Sequence, residues 1–342
     1  MQAPACAWTS QRRVAPRSCC AARHDGAPVG RADGHGRQKD AAMSRRLQAG
    51  LEVVSHMAAL VGEGAVWCTR SSRLLWVDAW ANAVLRYDPV TGAMESWVLP
   101  QRTGCVAPAS DGGILVGLQS GYWRLDPGSG AVDAVLTLDH ADYNRCNDSV
   151  VDPFGRFWCG TMNVAGLNGP RTGELFGWDG HGQPVRRLEG LGLSNGLACS
   201  PDGRILYFSD SHPAVNRVWQ YDLDGATGAL SNRRLFFDTA LLPGRPDGAT
   251  VDADGCYWIA AVDGWAVLRI TPDGRVDRRI ELPVAKPSKV AIGGARLDTL
   301  FITSISATLD PSQRAAQPLA GHLFAVHVGP IGVAQAEVRL QG

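Results

Sequence analysis

The chain has 342 residues, with 33 Lys+Arg against 33 Asp+Glu, so its formal net charge is zero and neither nucleic acid nor an anionic membrane is an expected partner. No apolar run of about 18 residues occurs, so no membrane-spanning helix is expected. Forty glycines, with 11 Trp, 8 Phe and 6 Tyr, suit a large all-β fold of short strands, tight turns and packed aromatic layers.

Residues 1–50 carry eight Arg and one Lys against Asp25, Asp33 and Asp40, with little apolar periodicity. An organelle transit peptide has this composition. With Met43 just before the globular pattern, a disordered extension over 1–48 or an upstream start is the preferred reading. Residues 49–342 are then the folded domain. The nine cysteines are scattered without metal-type spacing, and Cys19 and Cys20 are adjacent. An odd count without secretory features favours a reducing compartment, and a cytoplasmic location is expected.

From residue 51 one unit recurs, a set of β-rich runs separated by polar and Gly-rich turns. The first copy holds Ala65-Val66-Trp67, Leu74 to Asp78, Val84 to Asp88 and Glu95 to Leu99. Later copies are marked by Ile114 to Gly117, Arg156 to Gly160, Leu206 to Asp210, Tyr257 to Ala260 and Leu300 to Thr303. A spacing of roughly 40 to 50 residues with four strands per copy predicts a six-bladed β-propeller. The turns DPFG, SPDG and DADG lack the carboxylate spacing of a calcium loop and read as β-turns. A propeller has to close its ring or leave an edge exposed. Leu51-Glu52-Val53-Val54 precedes the first full copy, and we expect it to complete the last blade beside the C-terminal segment.

Three copies place one oxygen-bearing side chain next to a glycine at the mouth of the first run: Glu63 in Gly62-Glu63-Gly64, Asn195 in Ser194-Asn195-Gly196 and Asp247 in Pro246-Asp247-Gly248. An isolated Asn-Gly or Asp-Gly is usually only a turn. At equivalent places in a propeller, however, these residues enter the strands that line the central channel and converge at one end of the axis. Carboxylate, amide and carboxylate form a hard-oxygen set suited to one divalent cation on the axis. No H-E-x-x-H motif supports imidazole zinc chemistry, and no G-x-S-x-G elbow supports a Ser-His-Asp triad.

The chain resembles the SMP-30/gluconolactonase/regucalcin family over about residues 51–340. The resemblance is carried by GEGAVW at Gly62–Trp67, NRCNDSVVDPFGRFWCGTM at Asn144–Met162, LSNGLACSPDG at Leu193–Gly203, SNRRLF at Ser231–Phe236, RPDGATVDADGCYW at Arg245–Trp258 and IGGARLDTLFITS at Ile292–Ser304. It implies a six-bladed propeller, one divalent metal (Ca2+ or Zn2+, with Mg2+ or Mn2+ as alternatives) and hydrolysis of a sugar lactone. The implied metal ligands fall on Glu63, Asn195 and Asp247, and the implied substrate-contacting residues on Arg145 and Asn147. Two departures stand out. Where the family carries a further carboxylate after Gly-Thr-Met, this chain reads Asn163-Val164-Ala165-Gly166, and the usual Pro after the Glu motif is Ala65. Glu174, in the next run, is not given that role.

Within this reading Asp247 is both ligand and general base, while Arg145 and Asn147 hold sugar hydroxyls. Asp148 braces its loop, and Asp210 is either structural or in water-mediated reach of the metal. The partner is a small sugar lactone, and the chain a monomer or weak homo-oligomer. The alternative class is a non-enzymatic calcium-binding regulatory protein of the regucalcin type; an intact Arg-x-Asn pair favours the enzyme.

Overall fold

The computed structural model describes residues 50–340; the expected extension over 1–48 lies outside these residues. The described strands form six four-stranded antiparallel sheets, arranged as the blades of a propeller. Blade I contains β2 (Gly62–Cys68), β3 (Arg73–Asp78), β4 (Ala83–Tyr87) and β5 (Met94–Val98). Blade II contains β6 (Thr103–Pro108), β7 (Ile114–Leu118), β8 (Gly121–Leu125) and β9 (Val132–Thr137). Blade III contains β10 (Asn144–Val151), β11 (Phe157–Asn163), β12 (Gly173–Trp178) and β13 (Val185–Leu191). Blade IV contains β14 (Ser194–Cys199), β15 (Ile205–Asp210), β16 (Arg217–Leu223) and β17 (Leu230–Phe237). Blade V contains β18 (Arg245–Val251), β19 (Tyr257–Val262), β20 (Ala266–Ile270) and β21 (Val276–Glu281). Blade VI joins β22 (Pro287–Gly293), β23 (Thr299–Ser304) and β24 (Phe324–His327) to β1 (Leu51–Val53), which pairs with β24 as expected.

Inner strands are buried on both faces, which is why they read as continuous apolar runs rather than alternating ones. The outermost strands are largely exposed. The buried apolar residues fall into six clusters, each spanning the interface between two neighbouring blades. One example is Trp67, stacked at 5.8 Å on Phe301, which seals blade I against blade VI. The Asp-led turns are β-turns, as expected. Asp152 accepts from Phe154 N and Arg156 N, and its other oxygen takes Trp158 Nε1 at 2.9 Å. Asp252 repeats the pattern with Asp254 N, Cys256 N and Trp258 Nε1.

One element has no counterpart in the sequence reading. After β24 the chain crosses the turn end of the ring, bridging Asp252 with Gly332 and Ala109 with Val338, which is wholly buried. Gln335 Nε2 donates to Val151 O at 2.7 Å, and Glu337 pairs with Arg70. This strap ties blades I, II, III and V together and covers the far end of the central channel.

These contacts lead to a prediction about ring closure. A chain starting at Met43 should keep the full-length melting temperature, because the segment before it lies outside the repeats. A chain starting at Ser55 loses Leu51, a buried core residue. Burial of one such side chain is worth about 1.5–3 kcal/mol, so its melting temperature should fall by several degrees. Equal midpoints for both shortened chains would show that β1 does not close the ring.

Candidate functional site

The six innermost strands share one local irregularity. In each, the register against the second strand slips within a few residues of the mouth: after Glu63, Thr103, Cys146, Asn195, Pro246 and Pro287. A bulge lets two consecutive residues project to the same side, where a regular strand would send them to opposite sides. Aligning the six copies by sequence around this slip, on the residue just before it in β2 and β14 and just after it in β6, β10, β18 and β22, gives two successive rings of positions around the axis. The upper ring is Glu63, Gly104, Asn147, Asn195, Asp247 and Ser288. Immediately below lie Gly64, Cys105, Asp148, Gly196, Gly248 and Lys289. Glu63, Asn195 and Asp247 therefore lie inside β2, β14 and β18, rather than ahead of them as the sequence reading had it.

The lower ring is a floor. Lys289 Nζ reaches across the axis from blade VI to Asp148 Oδ1 in the opposite blade III, at 2.6 Å, with both side chains almost fully buried. The other oxygen of Asp148 accepts from Leu197 N at 2.8 Å, so blade IV is tied in as well. Glycine at 248 makes room for the lysine, since a Cβ there would sit 2.1 Å from Lys289 Cδ. Gly64 and Gly196 adopt positive φ of 62° and 63°, which the bulge geometry requires and glycine takes without strain. Beyond this floor an axial cavity of about 190 Å³, lined by Ala65, Val106, Leu197, Ala249 and Val290, runs to the C-terminal strap.

The upper ring carries the candidate ligands. Asn147 Nδ2 donates to Asn195 Oδ1 at 3.0 Å and to Ser194 O at 2.9 Å, while Asn195 Nδ2 donates to Ser211 Oγ at 2.9 Å. The amide oxygen of Asn195 is thereby turned towards the axis side that Asn147 occupies. Glu63 is half-buried and Asp247 buried, and desolvation drives both carboxyls upward. Glu63 is pushed up to about 8, with Asp148 adding to the rise and Lys289 and Arg145 opposing it. Asp247 is raised well above its ordinary value by burial first and by the charge of Glu63 second. Two carboxylates that destabilise each other's charge, beside an amide oxygen, are the donor set a divalent cation relieves. Glu63, Asn195 and Asp247 thus fit one hard cation chemically. Among the described residues no three His, Cys, Asp or Glu side chains cluster as ligands, so a third donor beside the two acids would be of another kind, such as this amide.

Arg145 lies two residues above Asn147 and is half-buried, its Nη1 donating to Cys146 O at 2.8 Å. Burial lowers its pKa and Glu63 opposes that shift. Asp210 is occupied structurally: its oxygens accept from Gly192 N, Leu193 N and His212 N. In blade I Asp78 does the same for Leu60 N and Val61 N. Where a carboxylate was looked for after Gly-Thr-Met, Asn163 Oδ1 accepts from Ala165 N and shapes the turn. Glu174 is held by Arg186 at 2.6 Å. Lys289 and Ser288 were missed by the sequence reading. They occupy the same column as Asn147-Asp148, and aligning the six copies residue by residue reveals them.

A six-bladed propeller with acids and amides gathered at one mouth of its channel is the class of molecule this geometry defines. The chain belongs to the SMP-30/gluconolactonase/LRE-like family, whose model matches residues 61–306. It is 38% identical over 288 residues to 6-deoxy-6-sulfogluconolactonase from Pseudomonas putida, covering 83% of this chain and 97% of that one. It is 33% identical to pentonolactonase XacC from Haloferax volcanii, covering 80% and 92%. Among solved structures, the calcium-binding protein regucalcin from Agrobacterium tumefaciens superposes with a TM-score of 0.80 at 27% identity, covering 85% and 98%.

Two outcomes follow from these charges. Glu63 holds its proton more tightly in the folded chain, at about 8, than at the ordinary value of 4.5. Its contribution to stability is therefore complete below the ordinary value and is lost as pH rises through the folded one. The melting temperature of chelated protein should fall from about pH 5 to about pH 8 more steeply than that of Glu63→Gln, and saturating divalent cation should remove the difference. Identical slopes for the two chelated proteins would mean that Glu63 is not buried beside another acid. Lys289→Met strands the buried Asp148 and should cost about 3–5 kcal/mol in urea unfolding. Lys289→Met/Asp148→Asn should recover most of that loss; no recovery would show that the lysine acts through packing alone.

Proposed function

We propose that the protein hydrolyses a sugar lactone to its aldonic acid with one divalent cation held by Glu63, Asn195 and Asp247. The observation that carries the reading is the pair of acids, half-buried Glu63 and buried Asp247, whose charges oppose each other at the channel mouth next to the bonded amides of Asn147 and Asn195. The lactonase names of two relatives support the substrate class. When bound, such a cation polarises a carbonyl and acidifies water.

The chain's own residues supply the rest. Asp247 accepts the proton of the attacking water as its oxygen bonds to the carbonyl carbon. The ring C–O bond then breaks, its oxygen leaves with the proton that Asp247 took from the water, and the product is the open acid. Arg145 is anchored on the Cys146 carbonyl and presents its remaining N–H groups to sugar hydroxyls or to the oxygen that gains charge. Asn147 offers an amide oxygen to a hydroxyl while its nitrogen keeps Asn195 in place. The floor beneath, closed by Asp148 and Lys289, keeps the reacting atoms on the mouth side.

The calcium-binding relative among the solved structures motivates a second reading, a calcium-binding protein without turnover. A panel of glucono-, galactono-, arabino- and xylonolactones, assayed with a series of divalent metals after chelation, separates the two.

Metal content and lactone kinetics measured on the same preparations test the division of labour. Asp247→Ala should lose metal and nearly all turnover together. Arg145→Ala should keep its metal and lose roughly ten- to hundredfold in kcat/KM, the worth of one charge-assisted hydrogen bond. Loss of metal from Arg145→Ala, or full metal in Asp247→Ala, would reverse the assignments.

A further inference from the structure

The ring of ligands has a second ring above it. Two residues before each upper-ring position stand Val61, Arg102, Arg145, Leu193, Arg245 and Lys286, in blades I to VI. Four of the six positions are cationic. In an extended strand a step of two residues keeps the side of projection and rises by roughly 6–7 Å. Arg145 and Arg245 stand in β10 and β18, and Arg102 and Lys286 immediately precede β6 and β22, so the four cations lie as a crown at the entry end of the inner strands, the end where Glu63 and Asp247 lie.

Their counter-charges are unequal. Arg245 and Lys286 share one carboxylate, Asp263, which Arg245 meets at 3.1 Å. Asp263 sits at φ 68°, in the left-handed region, on the tight turn between β19 and β20, so its position is fixed by that turn. Arg145 leans on the Cys146 carbonyl and faces Glu63. Arg102 is exposed and among the described residues makes no ion pair or hydrogen bond, and it lies close enough for its charge to depress the pKa of Arg145. Once a divalent cation occupies Glu63 and Asp247, the acids of the upper ring are spoken for. Four cations then face a single remaining carboxylate. A neutral sugar leaves that surplus uncompensated, and an oxyanion satisfies it.

We propose that the lactone taken by this site carries an acidic group remote from its carbonyl, a sulfonate, carboxylate or phosphate, and that Arg102 binds it. The inference rests on the lactonase reading and narrows its substrate class. The two levels match such a molecule. The carbonyl lies at the upper ring, and a substituent on the far side of the sugar ring reaches the crown above. A guanidinium with no partner presents a two-pronged donor to an oxyanion, and the flexible, exposed Arg102 has the freedom to meet it. Arg145 is pinned lower and stays with the reacting end. The missing carboxylate after Gly-Thr-Met agrees with this, since an acid there would repel the same group.

The test uses metal-loaded, full-length protein and lactones matched in ring and stereochemistry that differ only at C6: hydroxymethyl, carboxylate, sulfonate and phosphate. At least one acidic lactone should exceed the neutral one in kcat/KM, and rising salt should erode that preference. Arg102→Ala should shrink the acidic-over-neutral ratio by roughly ten- to hundredfold, and Arg102→Lys should shrink it less. Which acidic arm loses most identifies the group. A neutral lactone hydrolysed as well as every acidic one, or a ratio that Arg102→Ala leaves unmoved, overturns the inference and leaves the lactonase reading standing. Relief of inhibition by the aldonate product alone, with the ratio unmoved, overturns it too. No hydrolysis of any arm overturns the lactonase reading and this inference with it.

Discussion

Charge on the axis is the constraint from which the rest of the molecule follows. Six sheets bury both faces against their neighbours, so the channel is the one line where polar side chains from every blade meet, and much of it is out of reach of water. An ion buried there is costly unless an opposite ion and hydrogen bonds meet it. Asp148 and Lys289 satisfy this across the full width of the channel, with Leu197 N completing the carboxylate. The pair divides the channel into a polar mouth and the cavity behind it, and places a fixed positive charge beneath Glu63 and Asp247. That charge opposes their rise in pKa and does not cancel it, which leaves two acids that a divalent cation would stabilise.

The bulge is the backbone device that makes this possible. A regular inner strand would turn alternate residues to the axis and bury the others between blades. The slip in each inner strand gives two consecutive residues to the axis, so Asn147 can hold Asn195 while its neighbour Asp148 holds Lys289. Small residues then become necessary, because two axial side chains from each of six blades do not fit. Glycine fills half of the lower ring, and Gly248 yields its space to the lysine stem. The Gly that follows Glu63, Asn195 and Asp247 in the sequence is therefore a packing requirement of the floor.

Much of the fold was legible because the repeat is strong. Apolar runs such as Tyr257 to Ala260 and Leu300 to Thr303 lie in second strands buried on both faces, and the unpaired run at Leu51 had to close a ring. The candidate ligands could be read because each sits beside a glycine. Lys289 could not be read that way: a lone lysine in a strand normally signals a solvated edge, and only its opposition to Asp148 three blades away explains its burial. The C-terminal strap was hidden for a different reason. Its contacts are single bridges and side-chain bonds, at Gly332, Gln335 and Val338, with no strand periodicity to announce it. Asp210 carried a functional suggestion in sequence because it follows a strand near Asn195. In the fold it is a brace, as Asp78 is in blade I, and the repeat of that role shows why the aspartate is there.

The three rings also differ in rigidity, and the differences bear on catalysis under the lactonase reading. The floor is locked by a buried ion pair, and the ligand ring by amide-to-amide and amide-to-hydroxyl bonds. Arg145 is held on a carbonyl one residue away, so its charge is aimed before any substrate arrives. Preorganised charge of this kind is most effective near atoms whose charge grows during reaction, because no reorganisation is needed at that moment. In the crown Arg245 and Lys286 are tied to Asp263, and Arg102 alone is exposed without a partner among the described residues. A mobile group contributes little to stabilising a transition state, yet it suits recognition of a substituent that keeps the same charge throughout the reaction, since uniform binding needs contact and not precise aim.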